Sequence, residues 1–165
     1  MTITLTIAGT PRGRPRPRHG ARIVRGKAVS MTYHPTKIRI GKNGKPTPDS
    51  LAWVRANEWY EAVRVALLPQ RPAQPWEGPV RVTIDVYFER PQRLLKKKSP
   101  AGAVRHTAKP DRDNVDKSIL DALTEAGLWN DDSQVCDGPV RKWYAAKGCG
   151  PGVVIVAEQI QEEAC

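Results

Sequence analysis

The chain has 165 residues, with 27 Lys and Arg against 17 Asp and Glu, for a formal net charge of +10. This length suits one domain with a modest core, and the positive balance favours a polyanionic partner, most simply nucleic acid. No apolar run approaches the roughly 18 residues that span a bilayer, and no secretory signal pattern is apparent. We therefore expect no membrane partner and a cytoplasmic location. The three cysteines lack C-x-x-C spacing, which predicts free thiols rather than a zinc site.

The first predicted element is a strand over residues 1–8, in which Ile3, Leu5 and Ile7 alternate with threonines. A basic arm of about residues 9–48 follows, and its glycines and prolines predict an irregular, partly mobile segment. We predict that the arm contacts DNA phosphates, with a solvated, non-specific tail as the alternative. The arginines assigned to this contact are Arg12, Arg14, Arg16 and Arg18, followed by Arg22 and Arg25.

A helix is predicted over residues 50–68, because apolar side chains recur on one face. Its aromatic residues are predicted to be core rather than to stack on bases. Residues 80–88 then alternate strictly, which predicts a strand. The inward side chains of this strand are Val80, Val82, Ile84, Val86 and Phe88, and those of the helix are Trp53, Ala56, Trp59, Tyr60, Val63, Ala66 and Leu67.

Residues 90–109 form a long segment with seven Lys and Arg and no acidic residue. Loops of this length in compact domains are usually functional or disordered. We expect an irregular basic loop that DNA binding orders. The lysines assigned to DNA contact are Lys96, Lys97, Lys98 and Lys109.

Residues 109–137 hold eight of the 17 acidic residues. Asp111 and Asp113 lie at the start of a helix predicted over residues 113–126, and Lys117 follows Asp113 by one helical turn on the same face. The acidic pair Asp131 and Asp132 follows this helix. Clustered carboxylates suit a hard divalent cation such as Mg²⁺ or Mn²⁺.

A purely structural interpretation of these residues also stands. Asp111 or Asp113 can cap the helix, and the later acidic pair can form an ordinary turn. Lys117 can form an i, i+4 ion pair with Asp113 or Asp121.

Two final strands are predicted over residues 135–146 and 152–159, joined as a hairpin by a glycine-rich loop. Gly138 and Pro139 indicate a bulge or an edge position in the first strand. The element order strand, helix, strand, helix, strand, strand predicts the α+β class, as a single small domain with a mixed β-sheet and two main helices.

Residues 109–137 resemble the RusA family of Holliday junction resolvases. Three ordered motifs carry the resemblance: D-x-D-N-x-x-K from Asp111 to Lys117, D-A-L-T-x-A-G from Asp121 to Gly127, and W-x-D-D-x-Q-V from Trp129 to Val135. The resemblance implies a RusA-like nuclease domain over residues 1–165, with residues 109–137 as its catalytic segment. In the arm, GRPRPRHGAR stands where the family suggests an Asn-Arg-type motif.

The resemblance also implies the roles of site residues. Asp111, Asp113 and Asp132 are expected to bind Mg²⁺, with Mn²⁺ possible, and Lys117 is expected to be catalytic together with them. Asn114 and Asp131 are expected to have supporting roles. The resemblance further implies a homodimer, whose two sites would match the two-fold symmetry of a four-way junction.

The predicted function is that of a Mg²⁺-dependent, structure-selective endodeoxyribonuclease that resolves four-way junctions by paired nicks in recombination and repair. The source is expected to be a bacterium or a phage. Two alternatives stay open: a non-catalytic nucleic-acid-binding module, and a nuclease of the same fold acting on other branched DNA.

Overall fold

The computed structural model describes residues 1–13, 18–24, 27–33, 45 and 48–161, with the backbone alone at 18–24, 27–33, 48–50 and 53. Within these ranges, no helix is long and apolar enough to cross a membrane. The elements are β1 (Thr2–Ala8), β2 (Arg18–Val24), β3 (Lys27–Tyr33), α1 (Pro48–Leu67), β4 (Val80–Phe88), β5 (Val104–Arg105), α2 (Arg112–Glu125), β6 (Val135–Asp137), β7 (Val140–Tyr144) and β8 (Gly152–Gln159). This content of strands and helices confirms the α+β class.

A mixed sheet with the strand order β1-β8-β4-β7-β5 forms one layer, and β6 pairs with the start of β4. Strand β8 runs antiparallel to β4 on one side, and β7 runs parallel to it on the other. The predicted inward residues of β1 and β4 are all buried. The period-two pattern therefore identified the inner face of the sheet correctly.

Helices α1 and α2 close the core over that inner face. The stripe Trp59, Tyr60, Val63 and Leu67 is buried as predicted, and it joins the apolar side of α2 in one core cluster. Gly127 follows α2 with a φ of 80°, as expected for a residue that ends a helix in the left-handed region. The packing of the two helices thus places the first turn of α2 beside the sheet. The acidic segment of residues 109–137 begins at this turn.

The predicted hairpin between the last two strands is wrong. Strands β7 and β8 lie on opposite sides of β4, so residues 145–151 cross from one side of it to the other. The physical reason is that β4, the longest strand in the described residues, occupies the centre of the sheet and takes a neighbour on each side. The bulge lies at Cys136 rather than at Gly138, because the register with β4 shifts between the pairs Val80–Val135 and Arg81–Asp137 and is then kept through the pair Ile84–Val140.

The arm and the basic loop contain structure that the sequence did not predict. Residues 18–33 include the antiparallel pair β2 and β3, where an irregular segment was expected. In the loop, the buried guanidinium of Arg90 donates hydrogen bonds to the carbonyl oxygens of Ala145 (2.8 Å), Pro100 (2.6 Å), Leu94 (3.4 Å) and Gly102. The loop over residues 90–109 is irregular as expected, apart from a short turn at Gln92–Leu94 and strand β5, and Arg90 fixes its backbone by binding several carbonyl groups.

Candidate active site

Asp111 occupies the N-cap position of α2, and its side chain makes no capping hydrogen bond. Its backbone is extended, with φ −68° and ψ 152°, and Asp113 lies in the first helical turn. The positive end of the helix dipole favours negative side chains at both positions. Capping therefore does not account for the Asp111 carboxylate, which is exposed to solvent.

Lys117 connects α2 to the turn that follows it. Its Nζ atom lies 3.4 Å from Asp121 Oδ1 and 4.0 Å from Asp132 Oδ2. The predicted i, i+4 ion pair with Asp121 is present, but the same ammonium also reaches the second acidic motif. The Lys117 side chain is 70% exposed, so it remains accessible to a ligand.

Asp131 and Asp132 have different surroundings in this turn. Asp131 Oδ1 accepts a hydrogen bond from the Ser133 backbone N–H at 2.9 Å, and hydrogen bonding from Ser133 lowers the pKa of Asp131. Gln134 Oε1 accepts from the backbone N–H groups of Asn130 and Asp131, which completes a capping box. Asp131 therefore builds the turn, whereas Asp132 faces Lys117.

Gln134 anchors the turn to the rest of the protein and was not singled out from the sequence. Its Nε2 atom donates to the carbonyl oxygens of Trp76 (2.9 Å) and Gly78 (3.0 Å). Its only sequence signal is its place in the W-x-D-D-x-Q-V motif. The position of Asp132 thus depends on a connector more than 50 residues earlier in the chain.

An open cavity of about 440 Å³ lies at this junction. Tyr60 forms part of its wall, and its hydroxyl donates to Glu125 Oε2 at 2.6 Å. The acidic side chains around the cavity surround a single lysine. The lining residues are Tyr60, Lys117, Asp121, Thr124, Glu125, Asp131 and Asp132.

Aspartate oxygens are chemically suited to Mg²⁺ or Mn²⁺. Across the residues that the structure describes, however, no three Asp, Glu, His or Cys side chains are grouped so that they could hold a metal ion. The predicted set of Asp111, Asp113 and Asp132 is therefore not gathered into one cluster. Asp132 instead lies near Lys117. Lys117 itself lies one helical turn beyond Asp113.

Asp116 is an acidic neighbour that the sequence did not single out. It is half-buried, and burial raises its pKa. The charge of Asp113 also raises this pKa, while Arg112 opposes the change. The carboxylates at the start of α2 therefore influence one another electrostatically.

A second cavity, of about 410 Å³, brings together residues from the arm, the loop and α2. Arg12 and Lys109, both predicted to contact DNA, line it together with Asn114. Gly13 lies so close to Asn114 that an added Cβ would be 2.4 Å from Asn114 Nδ2, so only glycine fits there without a shift. The start of the arm is thus packed against the first turn of α2.

The other residues predicted to contact DNA lie either on the basic loop or in the arm. Lys96, Lys97 and Lys98 are exposed on the loop. Arg14, Arg16 and Arg25 lie outside the described residues, and only the backbone is described at Arg18 and Arg22.

Lys142 and His106 hold the segment before Asp111, and neither was identified from the sequence. Lys142 Nζ donates to the carbonyl oxygens of Ala108 (2.8 Å) and Pro110 (2.5 Å). The His106 ring is stacked 4.1 Å from the Phe88 ring, measured between centroids. Burial lowers the pKa of His106, and the positive charge of Lys142 lowers it further.

Comparison with known proteins agrees with this arrangement. A family model described as "Endodeoxyribonuclease RusA" matches residues 9–157. The protein is therefore an endodeoxyribonuclease, an enzyme that cuts DNA within the strand. More particularly, the chain belongs to the RusA family.

Individual relatives cover very different shares of the chain. "Uncharacterized protein YqaN" of Bacillus subtilis (strain 168) is 30% identical over 142 residues, which is 83% of this chain and 94% of that protein. "Crossover junction endodeoxyribonuclease RusA" of Escherichia coli (strain K12) is 53% identical over 38 residues, 23% of this chain and 32% of that protein. The protein of the same name from Enterobacteria phage 82 has the same identity and coverage. The named resolvases are thus matched over about a third of their length.

Proposed function

We propose that the protein is a Mg²⁺-dependent endodeoxyribonuclease that resolves four-way DNA junctions by paired nicks, in recombination and repair. The observation that carries the proposal is the position of the Lys117 ammonium, 4.0 Å from Asp132 Oδ2, on the helix that begins beside Asp111 and Asp113. The names of the E. coli and phage relatives support the choice of substrate.

Hydrolysis of a phosphodiester requires an activated water molecule and stabilisation of the charge that develops on the phosphoryl oxygens. Nucleases of this family generally depend on a divalent metal. In this proposal Asp111, Asp113 and Asp132 would hold the ion. The assignment rests on the sequence motifs, because the three side chains are not grouped in the structure. Bound Mg²⁺ supplies the activated water and part of the charge neutralisation.

Lys117 stabilises the negative charge of the reacting phosphate in this proposal. Its ammonium carries three donors on a flexible stem, and its exposure leaves it accessible to a phosphate oxygen or to the departing 3′ oxygen. Asp121 Oδ1, 3.4 Å away, keeps the ammonium on the side of α2 that faces Asp132.

The DNA backbone is bound by the basic residues around this site. Arg12 and Lys109, with Asn114, form the second cavity beside the start of α2. The exposed Lys96, Lys97 and Lys98 extend the positive surface. The arginines Arg14, Arg16 and Arg18 belong to the proposal on their sequence alone. Contacts of this type give affinity without base specificity.

The proposal includes a homodimer, because a four-way junction is nearly two-fold symmetric and each chain supplies one site. Each chain acts as one nuclease domain. We also propose action in the cytoplasm of a bacterium, on cellular or phage DNA. The free, exposed Cys136 and Cys149 fit such a reducing compartment.

The test is cleavage of a labelled four-way junction in Mg²⁺ by the wild type, Asp113→Asn and Lys117→Ala, with a linear duplex of matched sequence as the control. The wild type is expected to make paired, symmetric nicks in the junction alone. Both variants are expected to lose roughly 100-fold or more in cleavage rate while they retain junction binding.

Other results would change the conclusion in defined ways. Preferential cutting of flaps or forks would reassign the substrate to other branched DNA. Tight binding without cleavage by the wild type would leave a DNA-binding module and remove the enzymatic proposal.

A further inference from the structure

The second cavity, between the end of β4 and the first turn of α2, is lined by polar groups of three chemical kinds. Arg12 and Lys109 are cationic, Glu89 is acidic, and Asn114 supplies a neutral amide. In the part of the chain that the structure describes, the Glu89 carboxylate and the Asn114 amide make no hydrogen bond or ion pair. Their hydrogen-bonding groups are therefore available to a ligand.

The wall of the cavity behind these groups is aromatic. The rings of Phe88 and His106 stack with centroids 4.1 Å apart, and both residues are buried, at 6% and 9% exposure. His106 Nδ1 is buried without a hydrogen-bond partner among the described residues. Apolar walls with a few polar groups that fix orientation are typical of sites for organic ligands. A phosphate alone does not match this wall or the negative Glu89, whereas a nucleotide offers both a phosphate and an apolar, hydrogen-bonding base.

The cavity lies beside the candidate active site on the same helix. Asn114 and Lys117 are three residues apart in α2, so they share one side of the helix, separated by about 4.5 Å along its axis at 1.5 Å per residue. A DNA strand whose phosphate reaches Lys117 therefore brings a neighbouring nucleotide to the cavity. Arg12 and Lys109 can neutralise the phosphate of that nucleotide.

We propose that the second cavity receives one base next to the reacting phosphate and that Glu89 selects adenine or cytosine over guanine or thymine. An ionised carboxylate only accepts hydrogen bonds. Adenine and cytosine present an amino donor, N6 or N4, where guanine and thymine present an oxygen. Displacing a base costs least where pairing is already interrupted, as at the branch point of a junction. The inference rests on the proposed function, because it names the nucleotides at which the proposed site cuts.

The experiment uses four-way junctions that differ in one base, placed in turn on either side of the nicked phosphate. Single-turnover nicking rate and affinity are measured for all four bases at each position. The wild type is expected to nick the adenine and cytosine junctions about tenfold or more faster than the guanine and thymine junctions at one of the two positions. Equal rates for the four bases at both positions would overturn the inference and leave the resolvase proposal intact.

Glu89→Gln tests whether Glu89 makes the selection. A glutamine amide has both a donor and an acceptor, so it can bind either an amino group or an oxygen of the base. The rate ratio between the two pairs of bases is expected to fall to about twofold. The matched control is Glu77→Gln, an exposed glutamate that does not line the cavity, which is expected to keep the full ratio. A full ratio in Glu89→Gln would contradict the role of this carboxylate.

Failure of the proposed function gives a different result. A wild type that binds these junctions and cuts none of them would remove the enzymatic proposal. The base preference is then measured from the affinities for the same junctions, where adenine and cytosine are again expected to bind more tightly in the wild type than in Glu89→Gln. Equal affinities for all four bases would overturn this inference as well.

Discussion

At the scale of single residues, Asp131 and Asp132 show how two adjacent carboxylates differ in role. Asp131 accepts the Ser133 N–H bond and belongs to a capping box, so its charge is engaged in building the turn. Asp132 Oδ2 lies 4.0 Å from the Lys117 ammonium. The two carboxylates are adjacent in sequence but have different partners in the structure.

We predict that Asp132→Asn lowers junction cleavage by roughly 100-fold or more, because it removes a negative ligand from the site. Asp131→Asn is expected to retain activity within a few-fold, since an asparagine oxygen can still accept the Ser133 N–H bond. Single-turnover cleavage in Mg²⁺ measures both. The reverse order of effects would exchange the two assignments.

His106 is the buried titratable residue next to the site. Its pKa lies below the ordinary value of 6.5, first because of burial and then because of Lys142. The unfolded chain therefore binds a proton more readily than the folded chain, and folding stability is lost as the pH falls through the range below 6.5.

We predict that His106→Phe removes this part of the pH dependence, while the larger ring preserves the stack with Phe88. The measurement is urea unfolding of both proteins at pH 7.5 and pH 5.5. The wild type is expected to lose more stability than the variant between these two pH values. Equal losses of stability in the two proteins would show that His106 does not contribute to the pH dependence of folding.

At the scale of elements, the loop between β4 and α2 is organised by Arg90. Its guanidinium donates to carbonyl groups both in the loop and in the segment after β7. A buried guanidinium with several partners fixes a backbone that has little regular secondary structure. The basic residues of the loop therefore differ in their surroundings. Arg90 is buried and binds backbone carbonyl groups, whereas Lys96, Lys97 and Lys98 are exposed to solvent.

We predict that Arg90→Met lowers the free energy of unfolding by roughly 3 kcal/mol, because it leaves one buried and several partly buried carbonyl groups without a donor. The control is Arg93→Met, three residues later and exposed. It is expected to change stability by about 0.5 kcal/mol or less. Chemical denaturation measures both, and equal effects would contradict the role given to Arg90.

The exposed lysines of the same loop give a different prediction. Replacing Lys96, Lys97 and Lys98 by alanine is expected to reduce the slope of log affinity against log salt by up to about 3, at roughly 0.9 for each DNA phosphate that a lysine no longer neutralises. Junction and linear duplex should be affected alike, since binding to the backbone carries no base specificity. Titration of labelled DNA at several salt concentrations tests this, and an unchanged slope would remove the loop from the DNA-binding surface.

At the scale of the whole molecule, acidic and basic residues are concentrated in different parts of the sequence. The acidic residues are concentrated in residues 109–137, while the rest of the chain is strongly basic. A basic surface attracts the DNA backbone, and a local acidic site can bind a cation at the point of cleavage. Paired cleavage then requires two such sites, which one chain does not supply.

We predict a solution mass of about twice 18.3 kDa by light scattering. Mixed dimers of wild type and Asp113→Asn, purified with two different tags, are expected to nick one strand of a junction and leave the opposed strand intact. A monomeric mass together with paired nicks from a single binding event would contradict the dimer.

The sequence alone determined the inner faces of β1, β4 and α1 and the position of the acidic motif. These features depend on periods of 2 and 3.6 residues and on short motifs, so neighbouring residues carry the information. The family also followed from the sequence, because three motifs lie close together between Asp111 and Val135.

Only the tertiary structure decided the strand order and the anchoring functions of Arg90, Gln134 and Lys142. Each of these depends on partners far apart in the chain: 55 positions from Arg90 to Ala145, 58 from Gln134 to Trp76, and 32 from Lys142 to Pro110. Local patterns show which side chains are able to donate or accept a hydrogen bond. Which partner each one meets is decided when β4 takes the centre of the sheet and brings β7 and β8 to its two sides.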